Sequence, residues 1–98
     1  MKLTLEVRPE AYADLNEAYE WYESKGEGLG LRFLGEVQAA YALILEYPTA
    51  FQVVYEQVRH FPLWRFPYAI FYEAQKDRVQ VVACVHAKQD NGIWKRRT

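Results

Sequence analysis

An α+β domain is the fold class that this sequence predicts, and three observations point to it. Apolar and polar residues alternate at the start of the chain, two long helical patterns follow, and three more strand-like stretches come after them. Helices and strands kept apart in this way favour helices packed on one face of a largely antiparallel sheet. The expected order is a strand, a two-helix antiparallel hairpin, then three strands completing a mainly antiparallel, twisted sheet. At 98 residues the chain is read as a single domain, 1–98, with one core.

The first strand rests on Leu3, Leu5 and Val7 alternating with Lys2, Thr4, Glu6 and Arg8, the pattern of a half-buried strand with one wet face. Pro9 suits a first helical position, where the missing N–H has no partner to lose. The helix it opens runs to about Lys25. Ala11, Leu15, Ala18 and Tyr22 form its apolar stripe, and Glu10, Asp14, Glu17, Glu20 and Glu23 its solvated face.

Lys25 to Gly30 holds three glycines, but Leu31 and Arg32 stand where a phosphate loop needs Lys and then Ser or Thr. The segment is therefore a helix-to-helix turn, with Gly26 as a C-cap. The second helix is expected from about Leu29 to Tyr47, with Phe33, Val37, Ala40 and Ile44 on its buried row. Pro48 ends it, because the residue before a proline leaves the α region.

One strand is expected within Phe51–Leu63, a second over Phe66–Glu73 and a third over Arg78–His86. Pro67 belongs at the start of the second, because proline cannot donate to an interior ladder. That places Tyr68, Ile70 and Tyr72 on one face and Ala69, Phe71 and Glu73 on the other. In the third, Val79, Val81, Ala83 and Val85 are read facing one way, and Gln80, Val82, Cys84 and His86 the other. Residues 87–98 read as a polar, basic C-terminal tail.

No stretch is apolar enough for a membrane span, and the opening MKLTLEVRP lacks a signal-peptide core, so a cytoplasmic location is expected. The lone Cys84 excludes an internal disulfide and cysteine-rich zinc chemistry. His60 and His86 lack companions at metal-ligand spacing, and no metal or other cofactor is expected. Ser24 is the only serine, which leaves no serine-based triad. The net charge of −1 conceals an asymmetry: residues 1–50 carry four bases against nine acids, net −5, and residues 51–98 carry eight bases against four acids, net +4.

Arg59, Arg65, Lys88, Lys95, Arg96 and Arg97, interleaved with Trp64, Tyr68, His86 and Trp94, form the chemistry-bearing set. Guanidinium groups beside aromatic faces suit phosphate backbones and unstacked bases. They equally suit a solvated positive rim.

Taken in order, ADLNEAYEWYES, GLGLRFLGEV, EYPTAF, VRHFPLWRFPYAIFY, and VVACVH followed by a tryptophan resemble the RelE/ParE superfamily of bacterial toxins, in its ParE-like branch of plasmid stabilization proteins. The resemblance implies a toxin of a type II toxin–antitoxin module, held by a cognate antitoxin in a hetero-oligomer. Trp21, Tyr22, Phe33 and Tyr41 are then the candidate antitoxin contacts. ParE-like members poison DNA gyrase, and Arg59, Arg65, Trp94, Lys95, Arg96 and Arg97 become candidate target contacts. RelE-like members cut mRNA on the translating ribosome, a reading in which Arg65, His86 and Lys88 would be catalytic. Trp94 stands near the place of that branch's C-terminal tyrosine and cannot trade a proton as a phenol can. This, with the ParE-type motif order, favours gyrase inhibition without catalysis. Gln89 replaces an arginine usual in ParE-like proteins, which leaves a third reading of a decayed, non-toxic binding domain.

Overall fold

The computed structural model describes residues 3–97. The elements are β1 (Thr4–Val7), α1 (Pro9–Lys25), α2 (Leu29–Glu46), β2 (Val53–Tyr55), β3 (Val58–Pro62), β4 (Tyr68–Ala74), β5 (Arg78–His86), a 3-10 turn (Ala87–Gln89) and α3 (Ile93–Arg96). One sheet runs in the order β1-β5-β4-β3-β2. β1 lies parallel to β5, and every other neighbouring pair is antiparallel. The α+β class and the helical hairpin are as the periodicity predicts.

The stretch expected to hold one strand over Phe51–Leu63 holds two, β2 and β3, joined tightly through Glu56 and Gln57. Glu56 takes the left-handed backbone at φ 49°. No glycine, asparagine or aspartate stands there to announce such a hairpin turn.

The main core lies between the hairpin and the sheet. Ala11, Leu15, Ala18 and Tyr22 of α1 meet Phe33, Val37, Ala40, Tyr41 and Ile44 of α2 over Ile70, Tyr72, Val79, Val81 and Cys84. Leu5 and Val7 pack against this cluster as the alternation in β1 requires. Between the helices, the Glu23 carboxylate accepts the N–H groups of Gly28 and Gly30, each at 2.9 Å, and so satisfies amides that open α2. Gly26 does occupy the C-cap, although it is extended; Gly28 takes the left-handed conformation at φ 82°.

Gly30 lets the two helices touch, because a Cβ there would stand 2.8 Å from the Tyr19 carbonyl oxygen and 2.7 Å from its ring. Gly30→Ala is therefore expected to cost about 1–3 kcal/mol through overpacking. Gly35→Ala, where a Cβ meets nothing within 4 Å, is expected to stabilise α2 by about 0.5–1 kcal/mol. Urea denaturation midpoints of the two variants check the opposite signs.

A β-bulge in β5 corrects the expected facing of that strand. Phe71 pairs with Ala83 but Tyr72 pairs with Val81, so Val82 is the additional residue. Val79 and Val81 face the helices, yet beyond the bulge it is Cys84 that joins the helix-side core. Ala83 and Val85 turn to the opposite face with Ala69 and Phe71. His86, opposite Tyr68, follows Cys84 to the helix side.

That opposite face is not left to water. Trp94 of α3 lies on it, 7% exposed, its ring stacked on Phe71 at 4.6 Å between centroids and 11° between planes. Residues 87–97 thus form a strap across the sheet, a correction to the expected polar tail; Thr98 lies outside the described residues.

Candidate functional site

The basic residues singled out in the sequence divide into those engaged in structure and those presented to solvent. Arg59 belongs to the first group: its Nη1 donates to the carbonyls of Thr49 and Phe51, at 3.0 and 2.7 Å, and clamps the connection from α2 to β2. Arg97 belongs there too. Its Nη1 lies 2.7 Å from Asp14 Oδ2 and also donates to the Val82 carbonyl, while Nη2 donates to Asp14 Oδ1. The hydrogen bond to Asp14 is the main cause that raises the Arg97 pKa.

Asp14 Oδ2 also accepts the Cys84 N–H at 3.1 Å. The ladder with β1 ends at the Val7–Val81 pair, so β5 beyond the bulge has no strand on that side. Asp14 and Arg97 cover the backbone there. Arg8 adds a hydrogen bond from its guanidinium to the Arg97 carbonyl. Cys84 lies beneath, its thiol pushed up to about 12 by burial and, secondarily, by the Asp14 charge, so it is inert as a nucleophile.

Trp94 is part of the fold through its burial and its Nε1–H bond to Asp90 Oδ1, at 3.0 Å. Lys95 and Arg96 on the same short helix are exposed, with the Lys95 ammonium over the rings of Tyr55 and Trp94 at 5.3 and 5.4 Å.

Arg65, His86 and Lys88 do not converge on one cavity. Arg65 is exposed in the loop between β3 and β4 and lines a groove of about 660 Å³ against α2. His86 lines a separate cavity of about 190 Å³ with Asp14, Glu17, Tyr68, Gln89 and Arg97. There its Nδ1 accepts the Lys88 N–H at 3.0 Å and its ring meets the edge of Tyr68 at 5.1 Å. Lys88 lines neither cavity. Burial, and secondarily the neighbouring Tyr22, Cys84 and Glu17, raise the Tyr68 phenol pKa. A phenol held neutral there can donate a hydrogen bond but is poorly placed to act as a base.

Of the four expected antitoxin contacts, Tyr22, Phe33 and Tyr41 are core residues, 8%, 0% and 7% exposed, and present little surface to a partner. Trp21 is on the surface at 53% exposure, beneath the Lys25 ammonium at 5.2 Å. Among the described residues no group of three or more His, Cys, Asp or Glu side chains is placed to hold a metal ion. Nor is any helix long and apolar enough to cross a membrane.

The groove beside α2 joins Trp64 and Arg65, both in the chemistry-bearing set, to Glu36 and Arg32, which the sequence reading passed over. Trp64 is 87% exposed, an unusual position for an indole, and the Arg65 guanidinium lies over its ring at 5.5 Å. Glu36 Oε2 accepts the consecutive N–H groups of Trp64 and Arg65 at 2.5 and 2.8 Å. Arg32 completes the polar rim, and Leu29, Leu43, Phe61 and Leu63 supply apolar wall. No local signal ties Glu36 to this loop, because it stands 28 and 29 positions before the two amides it accepts.

Comparison with known proteins gives two findings. Residues 5–91 match the family described as the ParE toxin of the type II toxin–antitoxin system, parDE. A solved structure described as the chromosomal ParDE TA system from P. aeruginosa has the same fold, with a TM-score of 0.76 at 17% identity over 87% of this chain and 96% of that one. No curated protein sequence matches.

Proposed function

We propose, from the premise that this chain belongs to the ParE toxin family of type II toxin–antitoxin systems, that it arrests growth by binding DNA gyrase in the cytoplasm. A cognate antitoxin neutralises it in a hetero-oligomer. The observation that carries binding rather than catalysis is the dispersal of the chemistry-bearing side chains. Arg65 and His86 line different cavities, and Arg97 is held by Asp14. Cleavage of mRNA would need a base and phosphate-stabilising charges gathered on one reacting ribose.

The exposed cations Arg65, Lys88, Lys95 and Arg96 form the target-binding set in this reading. Arg59, Trp94 and Arg97 act through the fold. For the antitoxin, Trp21 takes the part first expected of four residues, joined by Leu31 at 65% exposure on the other side of the hairpin turn. Trp21→Ala is expected to weaken a co-expressed antitoxin's hold by about tenfold, as interface tryptophans do, without lowering the melting temperature. Titration calorimetry and a thermal melt together check both halves of that expectation.

Inducing the chain without antitoxin in growing bacteria, and following labelled thymidine and labelled methionine over the first minutes, tests the target. DNA synthesis should stall first, with filamentation. Protein synthesis collapsing while DNA synthesis continues would replace gyrase by mRNA. No effect on either would leave a binding domain without toxicity.

A further inference from the structure

We propose that the groove between α2 and the β3–β4 loop binds single-stranded nucleic acid, with a phosphate on the backbone amides of Trp64 and Arg65 and a base stacked on the Trp64 indole. The proposal concerns binding by the purified protein, so it stands or falls separately from toxicity.

Two consecutive amides converging on one oxygen make an anion seat. Here the seat is filled by the protein's own carboxylate, Glu36 Oε2, at 2.5 and 2.8 Å. An incoming phosphate oxygen is the same kind of acceptor. Arg32 and Arg65 line the groove and, among the described residues, make no side-chain hydrogen bond or ion pair, so both guanidinium groups are available to a phosphodiester.

The indole adds what a simple anion would not need. Trp64 is 87% exposed, covers almost no core, and carries the Arg65 guanidinium at 5.5 Å. An arginine and an aromatic face presented together are the stacking platform on which single strands bind. Because Trp64 supplies both the indole and one amide of the anion seat, an alternation of phosphate and base matches both at once. An acidic peptide would satisfy the amides and arginines and leave the indole unused.

Glu36 then acts as a gate. Its charge competes with the incoming phosphate for the amides, and the side chain swings out as the strand binds.

The test is fluorescence anisotropy with a labelled oligothymidylate of about ten nucleotides, within the usual range of single-strand site sizes. Trp64→Ala should weaken binding about tenfold, the scale of one lost stacking contact. It should leave the fold intact because the side chain is solvent-exposed. Arg65→Ala should reduce the slope of log affinity against log salt by about 0.7, the share of one single-strand phosphate contact. Glu36→Gln keeps an acceptor for both amides and removes the charge, so it should tighten binding about fivefold, as for one like charge removed at contact distance in water. The proposal is overturned by absence of binding at low salt, by unchanged affinity in Trp64→Ala, or by weakened binding in Glu36→Gln. A polyglutamate peptide that binds as well as the oligothymidylate would also overturn it, in favour of an acidic protein partner.

Discussion

Trp94→Ala is expected to destabilise the protein by about 3–5 kcal/mol, the usual range for deleting a buried tryptophan side chain. For a domain of this size the loss corresponds to a fall in Tm of roughly 12 °C or more. The cost arises because Trp94 covers Phe71 face to face and shields the apolar side of the sheet formed by Val58, Ala69, Ala83 and Val85. Trp94→Phe should retain much of that stacking. It forgoes the Nε1–H bond to Asp90, worth about 1 kcal/mol. Thermal melts of the three proteins give the comparison. If Trp94 contacted the target instead, the alanine variant would keep its Tm and lose only toxicity, and that result would refute the strap's structural role.

Asp14→Ala should cost about 2–3 kcal/mol, less than the roughly 3–5 kcal/mol for breaking a fully buried pair, because the Asp14 and Arg97 side chains retain 21% and 14% exposure. The loss has two parts. Arg97 is left without its partner, and the Cys84 N–H beyond the β5 bulge loses its acceptor. Asp14→Asn keeps an acceptor for that N–H and removes the charge, so an intermediate value is expected. Urea denaturation separates the three proteins. Equal stability of Asp14→Ala and wild type would show that water serves the strand edge as well as the ion pair does.

The helical hairpin was legible because its information is local. The stripe Ala11, Leu15, Ala18 and Tyr22 and the row Phe33, Val37, Ala40 and Ile44 repeat at helical spacing, and all eight are buried. Pro9 and the Tyr47-Pro48 step mark helix ends by backbone chemistry alone. β4 was readable for the same reason, since Ile70 and Tyr72 face the helices while Ala69 and Phe71 face the strap. β5 was readable only as far as its bulge. A single additional residue exchanges the faces of everything after it, and nothing in RVQVVACVH marks Val82 as that residue.

The candidate site was less legible, because charge and residue type do not say which partner a side chain will find. Arg59, Arg65 and Arg97 look alike in the sequence. The fold spends Arg59 on loop carbonyls and Arg97 on Asp14, and leaves Arg65 beside an exposed indole. The sequence by itself determined the α+β class, the hairpin and its buried stripes, since these follow from contacts between residues three or four apart and from alternation along a strand. Only the tertiary structure decided where the strap lies, which cations remain exposed and that Glu36 fills the Trp64–Arg65 seat. Those outcomes depend on pairs such as Asp14 and Arg97, 83 positions apart, which no local pattern records.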